Sequence, residues 1–83
     1  MPYIEKKRRA EIKGLGRQPK TAGELNYKLT VLALEYLETH GECYQTYAEI
    51  VSSFECAKLE MYRRMAAPYE DKKATENGEV YPI

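Results

Sequence analysis

The chain has 83 residues, 43 % of them hydrophobic, and its 13 basic and 13 acidic side chains leave no net charge. That is enough for one domain, residues 1–83, and the neutral balance argues against a general nucleic-acid surface. No apolar run approaches the roughly 20 residues of a membrane span, and the N-terminus lacks a signal-peptide core, so a cytoplasmic protein is expected.

The charges are unevenly spread. Residues 1–20 carry seven Lys or Arg against two Glu, residues 21–65 four against seven, and residues 66–83 two against four. The basic head, with Lys6-Lys7-Arg8-Arg9 at its centre, reads in three ways. It solvates a short surface helix, forms an anion-binding arm, or makes a head-to-body contact between subunits. Pro2 can open that short helix, Gly14 and Gly16 can end it, and Pro19 blocks continuation.

Two capping boxes follow. Thr21-Ala22-Gly23-Glu24 and Thr46-Tyr47-Ala48-Glu49 each place a hydroxyl where it accepts from a free amide and a glutamate where it reaches back to the cap. Behind the first, Leu25, Leu29, Leu32 and Tyr36 recur at helical spacing, widened by Val31, Ala33, Leu34 and Leu37. With Gly41 placed for a C-terminal cap, the pattern predicts a helix over about 22–40. Behind the second, Tyr47, Ile50, Phe54, Ala57, Met61 and Met65 form one stripe. It predicts a helix over 46–67, ended or kinked at Pro68, whose ring collides with the carbonyl four residues back. The short link between them favours antiparallel neighbours. The expected fold is therefore all-α: a helical hairpin with a short N-terminal helix and an irregular C-terminal tail over 68–83. Within that tail, Glu70 to Asn77 reads as a last helical turn or a loop, and Asn77-Gly78 as a turn.

A core this thin calls for reinforcement. Cys43 and Cys56 fall on or beside one helix, nearly 20 Å apart at 1.5 Å per residue, too far for a disulfide. One histidine, His40, and two distant thiols do not make a zinc site. Association remains, and the apolar side chains of the first helix cover more than one face. A homo-oligomer is expected.

A hairpin would bring Asn26 and Tyr27 near Tyr62, Arg63 and Arg64, with Tyr69, Lys72 and Lys73 just beyond Pro68. Guanidinium forks suit phosphate oxygens, and tyrosine offers a π-face with a polar tip. The helix N-terminus at Ala22 adds unpaired amides, while the Glu24 carboxylate works against an anion there. The same residues serve equally well as core edge and surface ion pairs, Arg63 and Arg64 with Glu60, Glu70 or Asp71.

Catalytic patterns are weaker. Glu35 and Glu38 sit one turn apart, as in metal-dependent pyrophosphohydrolases, but no second acidic pair matches them and a solvated helix face explains both. Cys56 fits a small helix-packing residue, and His40 a cation favoured at a helix C-terminus. No catalytic residue, metal or cofactor is expected.

Met1-Pro2-Tyr3-Ile4, Gly23-Glu24-Leu25-Asn26-Tyr27 and the stretch from Glu60-Met61-Tyr62-Arg63-Arg64 through Ala67-Pro68-Tyr69-Glu70-Asp71-Lys72-Lys73 to Asn77-Gly78-Glu79-Val80-Tyr81 resemble an uncharacterised family of small phage and prokaryotic proteins. In outline, a short helix, a hairpin and an Arg-then-Pro ending also resemble the phage proteins that sequester cyclic-nucleotide immune signals. That second likeness implies a homo-oligomer that holds a nucleotide without cleaving it. The function expected is thus a non-catalytic binding protein for a small phosphorylated ligand, with a structural or regulatory partner-binding module as the alternative. Ligand-binding residues are expected among Asn26, Tyr27, Tyr62, Arg63, Arg64, Tyr69 and Lys72.

Overall fold

A computed structural model describes residues 4–15 and 18–83, the side chains of 12, 14 and 15 excepted. The expected roles of Pro2 and Gly16 lie outside the described residues. The fold is all-α, with no strand among the described residues. Its helices are α1 (Lys6–Leu15), α2 (Ala22–His40), α3 (Tyr44–Met61) and α4 (Ala67–Asn77), with a π-helical turn over Tyr62–Ala66 between the last two. The chain divides into two compact units, residues 1–50 and 51–83.

In the first unit, α2 runs as its pattern predicts. Glu24 N–H donates to Thr21 Oγ1 at 3.1 Å, and Glu24 Oε1 accepts from Lys20 N–H at 2.8 Å, closing the box one residue earlier than the cap. At the far end Gly41 takes φ +83°, a region closed to most side chains, and its N–H donates to Leu37 O at 2.8 Å. α1 packs on α2. Gly14 lies within α1 and does not end it.

The second box does not cap α3. α3 starts at Tyr44, and Tyr47 N–H donates to Cys43 O at 3.2 Å, so Cys43 holds the cap position. Thr46 then falls in the first turn, where it is 3 % exposed and its Oγ1 lies 3.3 Å from Cys43 Sγ. Glu49 cannot return to a cap because it is engaged elsewhere: Tyr36 donates to it at 2.6 Å and Gln45 at 3.0 Å. The Tyr36 bond ties the end of α2 to the first turns of α3.

In the second unit, Pro68 does not stop the helix. Proline has no N–H for the Arg64 carbonyl and its ring crowds that carbonyl. The chain answers by widening one turn: Ala67 N–H donates to Tyr62 O, five residues back. α4 then continues to Asn77, and Gly78, at φ +95°, closes it by donating to Ala74 O at 2.9 Å. The tail is therefore irregular only after Asn77, because Glu70 to Asn77 continues a helix instead of nucleating one. No large side chain among the described residues is fully buried.

Candidate functional site

The expected ligand residues fall on both units. Asn26 and Tyr27 lie on α2 in the first unit, the asparagine exposed and the tyrosine half-buried. The Asn26 carbonyl accepts from Thr30 Oγ1 at 2.8 Å. Tyr62, Arg63, Arg64, Tyr69 and Lys72 belong to the second unit, and all five are exposed.

The π-turn organises that second group. In a regular helix, residues seven apart share a face and residues eight apart do not. The inserted residue brings the eighth round, so Tyr62 Oη donates to Glu70 Oε1. That bond pushes the Tyr62 phenol above its usual range, with smaller contributions from the nearby Glu70, Tyr81 and Asp71 charges and from partial desolvation. Arg63 and Arg64 both turn to Glu60. Arg63 Nη2 lies 2.9 Å from Oε2, and Arg64 Nε binds Oε1. One carboxylate thus gathers two adjacent guanidinium groups whose helix positions alone would spread them about 100° apart. Glu70 serves Tyr62 and not the arginines. Lys73 Nζ sits 5.5 Å from the Tyr69 ring centroid and 3.1 Å from Glu76 Oε2.

The basic head has a definite role. Arg8 spends its guanidinium on three acceptors: Glu11 Oε2 at 2.9 Å, Gln18 O at 2.8 Å and Glu24 Oε1 at 2.9 Å. Arg9 Nε donates to Ile4 O at 2.7 Å. Two of the four consecutive bases therefore join α1 to its own chain. The capping glutamate supplies the local half of this clasp, but nothing in the basic run marks Arg8 as the residue that meets it.

Cys43 is a free, exposed thiol. The Thr46 hydroxyl, and then the Thr46 and Gln45 N–H groups, hold this exposed thiol below its usual range. A shallow depression of about 340 Å³ on the second unit is lined by Asp71, Ala74, Thr75 and Glu79, a carboxylate-bearing surface of the wrong sign for phosphate. Among the described residues no group of three or more His, Cys, Asp or Glu could hold a metal, and no helix is long and apolar enough to cross a membrane.

A family model described as a domain of unknown function, DUF6899, matches residues 1–80. The chain belongs to this family. The DUF6899 match spans both units and includes every expected ligand residue. No curated protein and no solved structure matches the chain.

Proposed function

We propose that this DUF6899 protein is a non-catalytic, homo-oligomeric binding protein for a small phosphorylated ligand of the nucleotide-signal type, as a phage-encoded anti-defence sponge would be. The observation that carries the reading is the pair Arg63 and Arg64, gathered on Glu60 in an exposed π-turn between Tyr62 and Tyr69. π-turns inside helices recur at functional sites. A phosphate can compete with the Glu60 carboxylate for the two guanidinium groups, since both anions offer an arginine fork a pair of charged oxygens. The tyrosine rings supply stacking surface for a base, and Lys72 supplies a further cation.

The test is a thermal-shift screen with cyclic and linear nucleotides. A ligand at a hundred times its dissociation constant adds about 2.7 kcal/mol of stability. Arg63→Ala and Arg64→Ala should each keep the helix and weaken the ligand that scores by about tenfold or more. If no nucleotide stabilises the protein, or both variants retain full affinity, the reading is wrong.

A second reading, a structural or regulatory partner-binding helical module, draws on a different observation. Val51, Phe54, Met61 and Met65 are all exposed on α3 and the π-turn, the last three of them 41, 63 and 65 %. An apolar stripe of that kind suits another helix.

A further inference from the structure

α2 presents its apolar seam outward. Leu25, Leu29, Leu32 and Tyr36 alternate at spacings of four, three and four, the a/d pattern of a coiled coil that starts at Ala22. In that register Ala22, Leu29 and Tyr36 are a positions and Leu25 and Leu32 are d positions. Every one of them is exposed, with Leu25 at 51 % and Leu32 at 56 %. Of the eight half-buried residues of α2, six lie away from the seam, Gly23, Thr30 and Leu37 (b), Glu24 and Val31 (c) and Tyr27 (f), while Lys28 (g) and Ala33 (e) flank it. The side away from the seam carries Glu24, the residue clasped by Arg8 of α1. An ordinary surface helix covers its leucines. This one leaves Leu25, Leu29 and Leu32 exposed along the seam, and Leu34 exposed on the other side.

We infer that the α2 seam is an interface with a second copy of this chain, two α2 helices meeting antiparallel about a two-fold axis. The inference rests on the assembly part of the proposed function and is independent of the ligand. Two features choose the occupant and the direction. First, the seam is complementary to itself. Antiparallel alignment layers Leu29 on the partner's Leu32 and Leu25 on the partner's Tyr36, and the axis repeats both layers; Tyr36 joins the seam only by its ring, since its hydroxyl is held by Glu49 and one ring face stacks on His40. Second, the flanking charges agree. Lys28 and Glu35 are both g positions. Antiparallel helices set g against g, which pairs Lys28 of each copy with Glu35 of the other. Parallel helices set g against e, which would put Lys28 beside Ala33 and Glu35 beside His40. Only the antiparallel arrangement matches a lysine to a glutamate, and it does so twice.

The experiment is a charge swap in the full chain, read by sedimentation equilibrium with circular dichroism as the folding control. Wild type should sediment as a dimer or a multiple of one. Lys28→Glu and Glu35→Lys should each raise the dissociation constant by about tenfold, since each turns two attractions into two repulsions. The double variant should return it to within about threefold of wild type. Positions 28 and 35 lie two turns apart, too far for rescue within one helix. Leu29→Asp should abolish assembly. A wild type that stays monomeric at every concentration overturns the inference, whether the seam is then covered by the chain's own second unit or by another protein. So does an assembly that ignores the single charge changes, or a double variant no better than the singles. Nucleotide titration of Arg63→Ala and Arg64→Ala reads the ligand reading separately, so either can fail alone.

Discussion

Arg8 Nε lies 2.9 Å from Glu24 Oε1, and the two side chains are only 19 % and 13 % exposed. This pair joins the basic head to the capping box of α2. Glu24 has two tasks at once: its Oε1 accepts from the Lys20 N–H that begins the helix and from the arginine that holds α1 in place. The charge excess of the first 20 residues is thus partly internal, and fewer of its cations face solvent than the sequence implies.

Arg8→Ala should release α1 while leaving α2 folded, because Thr21 still caps the helix. Hydrogen exchange over residues 6–15 should rise towards the unprotected limit, and the melting temperature should fall by several degrees. Arg8→Lys should recover little, since an ammonium lacks the planar fork that meets three acceptors in different directions. Full protection of α1 in the alanine variant would show that apolar packing alone holds it.

Acid should loosen the contacts at both ends of α2. Glu24 is held below its ordinary 4.5, chiefly by the Lys20 N–H; burial opposes that shift, and the Arg8 hydrogen bond and charge add to it. Glu49 is held below the same value, chiefly by the Tyr36 hydroxyl and then by Gln45. A carboxylate whose folded value is depressed stabilises the fold above its unfolded value. That contribution disappears as the pH falls through the folded value. The melting temperature should therefore be flat above about pH 5 and decline below 4.5. The double variant Glu24→Gln, Glu49→Gln should start lower and decline less steeply. Parallel acid limbs for the two proteins would show that other groups control the transition.

How much of this was legible in the sequence differs from one element to the next. The first capping box and the leucine stripe are local signals, and α2 spans Ala22–His40 as they indicate. The second box has the same letters, but Glu49 is drawn away by Tyr36, thirteen residues earlier, and the cap passes to a cysteine. Cysteine is not among the preferred capping residues, so no local rule selects it. At Pro68 the local rule is right about the lost hydrogen bond and silent about the remedy. A helix can end, kink or widen by one residue, and α4 beyond the proline makes widening worthwhile. The arginine pair was visible as residues. Its shared partner Glu60 was one of several acids within reach.

Pro68→Ala should remove the reason for the π-turn. Alanine restores an N–H for the Arg64 carbonyl and relieves the crowding, so α3 and α4 should merge into one regular helix. A gain of roughly 1–3 kcal/mol is expected from helix propensity and the recovered bond. The same change turns Tyr62 away from Glu70, since residues eight apart no longer share a face. The Tyr62 phenol, now raised by the bond it donates to Glu70, should titrate closer to its ordinary 10.0. Carbon-13 labelling of the tyrosine Cζ atoms reads that shift directly. A more stable variant with an unchanged Tyr62 titration would mean that the π-turn persists without its proline.

Cys43 offers a test of the relocated cap. Its thiol is exposed, yet the Thr46 hydroxyl and N–H stabilise the thiolate and draw its pKa below the ordinary 9.0. Alkylation follows the thiolate fraction, so its rate in a Cys56→Ser background should rise with pH earlier than that of a free thiol. Thr46→Val replaces a hydroxyl with a methyl group of similar size at a position only 3 % exposed. Packing is nearly conserved and the largest of the stabilising bonds is lost, while the backbone N–H groups stay in place. The titration should move up part of the way towards 9.0, and the iodoacetamide rate near pH 7.5 should fall severalfold with helicity unchanged. If α3 instead began at Thr46, as its capping-box letters suggest, Cys43 would lie outside the helix and the two rate profiles would superimpose.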